Sequence, residues 1–210
     1  IEDTFNLDAV PAGHKIGTPE VLFQKLDTDK MKEFKVKYSG GEKFILDLRV
    51  GQILSVEDHP DPEATKLYKM QVKVGTNETR QIIGGLREAY PNKEELVNKK
   101  VIVACNLKHS KLKGEKSEGM VMAAKTASGV MSILVPTDPA CEPGVTLKPK
   151  GTKLEPEKVV APKQLQGVLK NLNIGEGGVA CYKTSPFGIG VNAIPVKPEN
   201  LEIGVGSQVL

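Results

Sequence analysis

The sequence predicts an all-β chain with short helices: a five-stranded closed barrel, with a smaller C-terminal subdomain packed on it. Three observations carry that expectation. Twenty-one glycines and fourteen prolines in 210 residues favour short strands and turns over a helical bundle. Tyr68, Met70, Val72 and Val74 alternate with Lys69, Gln71 and Lys73, the period of a strand with one face in a core and the other wet and basic. Two apolar runs, 101–105 and 120–124, flank a polar stretch that begins at Asn106.

In chain order, residues 1–42 carry six lysines against eight acids and read as a lead-in of net charge −2. Within it, 10–19 is turn-rich and extended, Thr28 starts a short helix through Met31 and Phe34, and Ser39-Gly40-Gly41 is a linker. From Phe44 the pattern turns to strands. Leu46, Leu48 and Val50 alternate with Asp47 and Arg49, and Ile53 resumes one position out of phase after Gly51, which predicts a bulge there. His59-Pro60-Asp61-Pro62 is a turn. The third strand spans 79–83 and is closed by Gly84-Gly85. Pro91 followed by Glu94 and Glu95 suits a one- to two-turn helix. The fourth strand is 100–105, the fifth 119–125, and 130–135 returns as a further strand after Ser128-Gly129.

Three strands, a short helix and two more strands match the order of an OB-fold, a small Greek-key barrel whose loop between strands four and five flanks the ligand face. That loop holds Lys108, Lys111, Lys113 and Lys116 without an aromatic ring. From Lys99 to Lys125, seven lysines stand against Glu115 and Glu118, so this segment is +5 while the whole chain is +3. Positive charge held between two strands suits a phosphate backbone, and lysines read phosphate rather than sequence. A solvated surface loop is the plainer alternative. Ser117 could donate to phosphate or to a ribose hydroxyl. Met120 could pack on a base or fill the core, and Asn106 could face a base edge or bridge the loop's own backbone. Arg49 and Lys69, on the polar faces of the first two strands, complete the candidate set. The domain plan is a lead-in over 1–42, a barrel over 43–150 and a C-terminal subdomain over 151–210.

Other functions find little support. Aromatics make up 4% of the chain and Trp is absent, which weakens any platform of several stacked bases. Cys105, Cys141 and Cys181 form no CxxC and share no metal-ligand spacing with His14, His59 or His109, so no metal site is expected. Free thiols point to a reducing, cytoplasmic compartment. No run reaches the roughly 18 apolar residues of a membrane span. The carboxylate pairs Asp61/Glu63 and Glu94/Glu95 sit in turn or helix-start contexts, GxSxG is absent, and 188–190 lacks the third glycine of a dinucleotide loop. No catalytic residue and no cofactor is expected here. The chain begins at Ile1 rather than Met and reads as a fragment of something longer.

The segments Leu46-Asp47-Leu48-Arg49-Val50-Gly51, His59-Pro60-Asp61, Lys66-Leu67-Tyr68, Ile83-Gly84-Gly85-Leu86 and Asn106-Leu107-Lys108 through Ser117-Glu118-Gly119-Met120 together resemble the tRNA-binding domain family over about 44–150. Residues 152–210 resemble the C-terminal extension of its endothelial monocyte-activating polypeptide II type, anchored by Cys181-Tyr182-Lys183 and Pro186-Phe187. The resemblance implies that the extension imitates a partner subunit, and so implies a monomer. The lead-in, through Pro11–Gly17 and Pro19–Phe23, resembles the end of a methionyl-tRNA synthetase body. These resemblances imply a non-sequence-specific tRNA-binding appendage of a methionine–tRNA ligase. Its partners would be tRNA, the attached synthetase body and other synthetases, with ATP and magnesium confined to the parent's catalytic body. A cytokine-like polypeptide released from a synthetase, or a synthetase-docking module, are the alternatives. Positions matching Asn106, Lys108, Lys111, Lys113, Ser117 and Met120 hold tRNA in the family. The chain departs from it at His109, where Pro is frequent, at Lys113, where Arg is usual, and by an insertion within 61–66.

Overall fold

The computed structural model describes residues 13, 27–28, 30–31, 34, 43–190, 193–200 and 202–210. The expected extended segment at 10–19 and the linker at 39–41 lie outside them, apart from Gly13. Thr28, Lys30, Met31 and Phe34 are helical as expected. The cap of that helix is one residue earlier, because the Lys30 N–H donates to Asp27 Oδ1 at 2.7 Å.

The chain is mostly β. Its strands are β1 (Lys43–Phe44), β2 (Leu48–Asp58), β3 (Tyr68–Gly75), β4 (Glu78–Gly84), β5 (Lys100–Ala104), β6 (Ser110–Leu112), β7 (Glu115–Ser117), β8 (Met120–Val121), β9 (Ala123–Lys125) and β10 (Met131–Pro136). Then come β11 (Thr146–Pro149), β12 (Lys153–Leu154), helix α1 (Pro162–Leu169), β13 (Leu172–Ile174), β14 (Ala180–Tyr182), β15 (Ser185–Ile189), β16 (Ile194–Pro198) and β17 (Gln208–Val209). The expected short helix is a single 3-10 turn, Lys93–Leu96, whose Glu94 N–H is capped by the Asn92 side chain.

The long first barrel strand, β2, is the hub. It pairs antiparallel with β3, β5 and β11, and β3 pairs in turn with β4. The phase change at Gly51 has a different cause from the bulge expected there. Leu46, Leu48 and Val50 belong to one apolar core and Ile53 and Val56 to another. Around Val50 and Gly51 the strand is therefore buried on both faces. A Cβ on Gly51 would lie 2.8 Å from Val103 Cγ2 and 2.9 Å from Val72 Cγ1, so only glycine lets three strands close there. The register irregularity falls instead between Ile53 and Ser55, where Leu54 is turned out to solvent.

The same two-sided burial explains the uninterrupted apolar run in β5. Val101 and Val103 point into the barrel core with Met70, Val72 and Ile82. Ile102 and Ala104 point into the second core with Val168, Ile174 and Val196. Each fully buried Val or Ile contributes roughly 1.5–3 kcal/mol, so β5 is a main strut of both. Tyr68 pins the 3-10 connection to the barrel by donating its hydroxyl to Tyr90 O at 2.9 Å.

The expected fifth strand is broken in two at Met122. β8 pairs with β5 on the barrel, whereas β9 pairs with β10 and β17. Residues after 151 thus continue the sheet, through β10–β16–β15 and β9–β17–β13–β14. β14 also pairs with β15, closing a second ring. Phe44 sits between the two parts, edge-on to Tyr182 at 5.2 Å and to Phe187 at 5.5 Å.

Candidate nucleic-acid interface

The lysine-rich stretch, expected as a loop, folds into a hairpin. β6 and β7 pair Ser110 with Ser117, Lys111 with Lys116, and Leu112 with Glu115. The two turn residues, Lys113 (φ 50) and Gly114 (φ 90), both have positive φ, as a two-residue turn of the primed kind requires. Directly opposed residues project to the same face, so the ammonium groups of Lys111 and Lys116 sit on one side of the ribbon. Like charges in that position repel, and a bound polyanion would relieve the repulsion.

The hairpin is anchored by polar groups on the barrel. Arg80 of β4 donates Nη1 to Cys105 O and to Glu118 O, so one guanidinium ties the two ends of the segment together. Gln81 donates Nε2 to Lys116 O at 2.9 Å and to Glu115 Oε2 at 3.1 Å. His59 is buried. Its Nδ1 accepts the Asp61 N–H at 3.1 Å, so its Nε2 carries the proton and donates to Leu112 O at 3.1 Å near the hairpin tip. At the root, Lys108 N–H donates to Val160 O and Val160 N–H to Asn106 O, so the C-terminal part grips the same segment.

These contacts sort the candidates. The Asn106 amide is fully committed to backbone: Oδ1 accepts the Asp47 N–H at 2.9 Å, and Nδ2 donates to Ile45 O at 2.8 Å and Glu157 O at 2.9 Å. Of its two readings, these bonds are those of a backbone bridge. Ser117 is likewise buried, accepting the Ile83 N–H at 3.1 Å and donating to Gly119 O at 3.0 Å. Arg49 is held by Asp47 (2.6 Å) and Glu78 (3.0 Å), which raise its pKa above the ordinary guanidinium value. Lys69 lies 3.3 Å from Glu115.

Lys116 is 2.6 Å from Glu118 and holds that carboxyl below the usual carboxylate range. Lys113 lies 3.4 Å from Glu63 and 3.9 Å from Asp61, both just after His59. Lys108 and Lys111 are exposed, and neither has a carboxylate within ion-pair distance among the described residues. Met120 is half-buried and lines a groove beside the hairpin.

Sequence reasoning missed Arg80, Gln81 and His59 as supports. Their partners lie 25 to 53 residues away, and the only trace in the sequence is a pair of polar residues, Arg80-Gln81, interrupting a strand ahead of Ile82-Ile83. Among the described residues no cluster of His, Cys, Asp or Glu could hold a metal. No helix among them is long and apolar enough to cross a membrane.

A Greek-key barrel whose segment after the fourth strand carries a braced, cationic hairpin defines a nucleic-acid-binding module of the OB class. Residues 48–146 match the model of a family described as the putative tRNA binding domain.

Over 230 residues the chain is 30% identical to the cytoplasmic methionine–tRNA ligase of Arabidopsis thaliana, covering 86% of this chain and 28% of that protein. Over 145 residues it is 40% identical to the methionine–tRNA ligase of Methanocaldococcus jannaschii, covering 61% of this chain and 22% of that one. The chain therefore spans only about a quarter of the length of these curated relatives. Among solved structures it is similar to the C-terminal domain of Plasmodium vivax p43. That match has a TM-score of 0.68 and 26% identity, and covers 79% of this chain and 96% of that domain.

Proposed function

We propose that this chain is the tRNA-binding appendage of a methionine–tRNA ligase, and that it holds tRNA by its phosphate backbone rather than by base identity. The observation that carries this is the pair Lys108 and Lys111, exposed and without carboxylate partners among the described residues, on a hairpin segment that Arg80 and Asn106 hold in place. Lysine is a point charge that reads phosphate and not sequence. Tethered to a synthetase body, such a module raises the effective concentration of tRNA at the catalytic site without chemistry of its own. Lys113 and Lys116 join the contact when phosphates displace Glu63 and Glu118, since exposed pairs of this kind contribute little.

The C-terminal extension has two roles in this reading. It covers the apolar face formed by Leu46, Leu48 and Val50, which a barrel alone would leave for a second copy, and it ties down the hairpin root through Val160. The protein is then a monomer. The test is to measure affinity for several tRNA species of different acceptor identity at one salt concentration. Affinities within a few-fold of one another are expected, and a strong preference for a single species would refute backbone reading.

A further inference from the structure

Beside the hairpin lies an open groove of about 460 Å³, within the range of about 300–1,000 Å³ typical of small-ligand sites. Its floor and walls are apolar: Leu86 and Met131 from the barrel, Leu107, Leu112 and Met120 from the hairpin segment, and Leu165 from α1 of the extension. Leu112 is 39% exposed, so this surface is unfinished core rather than closed packing. The side chains that line it without being apolar are Lys108, Ser110 and Ser117, and Ser117 is already committed to backbone.

We infer that this groove takes one unstacked base of the bound RNA, lying against the Met120 and Leu107 side chains while a flanking phosphate meets Lys108. The inference rests on the tRNA-binding reading and deepens it. Charge complementarity selects this occupant. The groove is apolar within and bordered by the Lys108 ammonium group, which lacks a carboxylate partner among the described residues; this is the charge plan of a nucleotide, a neutral planar face joined to an anionic linkage. Sequence tolerance is a consequence, because every base offers a flat face and the groove has no free side-chain amide to read an edge. Aliphatic and thioether side chains replace the usual aromatic platform, so the effect is at the low end for a stacked base. The extension supplies one wall, so a barrel without it would lack the site.

The test compares two single-stranded probes at matched salt: an octamer of adenylate, and an abasic ribose–phosphate octamer of the same length and charge. The intact chain is expected to bind the adenylate octamer about fivefold more tightly. Gly85 is exposed in the groove wall, and a Cβ there would have no neighbour nearer than Leu67 Cδ2 at 4.0 Å. Gly85→Phe is therefore expected to fold, as checked by circular dichroism, and to abolish the preference.

The wild-type comparison stands even if that variant fails to fold. Equal affinity for the two octamers, with salt-dependent tRNA binding intact, would overturn the groove assignment and leave the tRNA reading in place. Absence of tRNA binding by the intact chain would overturn both. Displacement of bound fluorescent octamer by a neutral apolar nonapeptide, with no preference between the octamers, would reassign the groove to peptide and overturn the inference.

Discussion

The side-chain carbonyl of Asn106 accepts the Asp47 backbone N–H at 2.9 Å, joining the root of the basic hairpin to the residue just before the first barrel strand, 59 residues away. The same amide donates to Ile45 O and Glu157 O, so three segments meet on one side chain. Asn106→Ala would strand a buried donor and two acceptors and is expected to cost about 2–4 kcal/mol. Urea unfolding with an unchanged m-value checks this. A loss below about 0.5 kcal/mol would mean that the amide is not the joint described.

Lys113, at the hairpin turn, is opposed by two of the protein's own carboxylates, Asp61 and Glu63. Glu63, 3.4 Å away, is 81% exposed, so the pair is weak and water-screened. Glu63→Gln removes a competitor of phosphate and is expected to raise tRNA affinity about 1.5- to 5-fold at low salt, with the gain fading at high salt. A fall in affinity on titration would show that Glu63 assists binding rather than competes with it.

Gly51 and Gly167 make a contrasting pair. A methyl on Gly51 has to displace Val72 or Val103, and Gly51→Ala is expected to destabilise by about 1–3 kcal/mol. Gly167 lies in α1 with nothing within 4 Å of its would-be Cβ, so Gly167→Ala is expected to stabilise by about 0.5–1 kcal/mol. Thermal unfolding of both variants against the parent chain gives the two signs directly.

Burial pushes the Cys105 thiol up to about 12 from its ordinary value of 9.0. A folded-state pKa raised above the unfolded one contributes stability below about pH 9, which is lost as pH rises towards about 12. The native chain at pH 8.5 should therefore leave Cys105 unmodified by iodoacetamide, while the urea-unfolded chain reacts. Equal rates, read by peptide mass, would contradict its burial.

Much of the barrel was legible because its strands keep a two-residue alternation. β3 is the clearest case, with Tyr68, Met70, Val72 and Val74 buried and the residues between them half-buried. The cationic character of the segment after β5 was equally plain from its lysines. What escaped the sequence is long-range. The phase slip at Gly51 reflects two cores meeting on one strand, a fact that local periodicity cannot distinguish from a bulge. The β6–β7 hairpin depends on Lys113 adopting positive φ, a conformation no local pattern announces. The second ring is built from strands of two to six residues whose partners are distant in sequence, so 151–210 showed only apolar clusters. Asn106 and Ser117 look like ligand-binding residues on paper because they are polar and flank lysines, yet burial turned both into backbone fasteners.

The most direct test of phosphate capture by the hairpin is the salt dependence of tRNA binding for the parent chain, Lys108→Ala and Lys111→Ala. Each substitution is expected to weaken binding and to lower the log–log slope by about 0.7–0.9. Three superimposable slopes would contradict the account, because ammonium groups that neutralise phosphate cannot be removed without changing the number of counterions released.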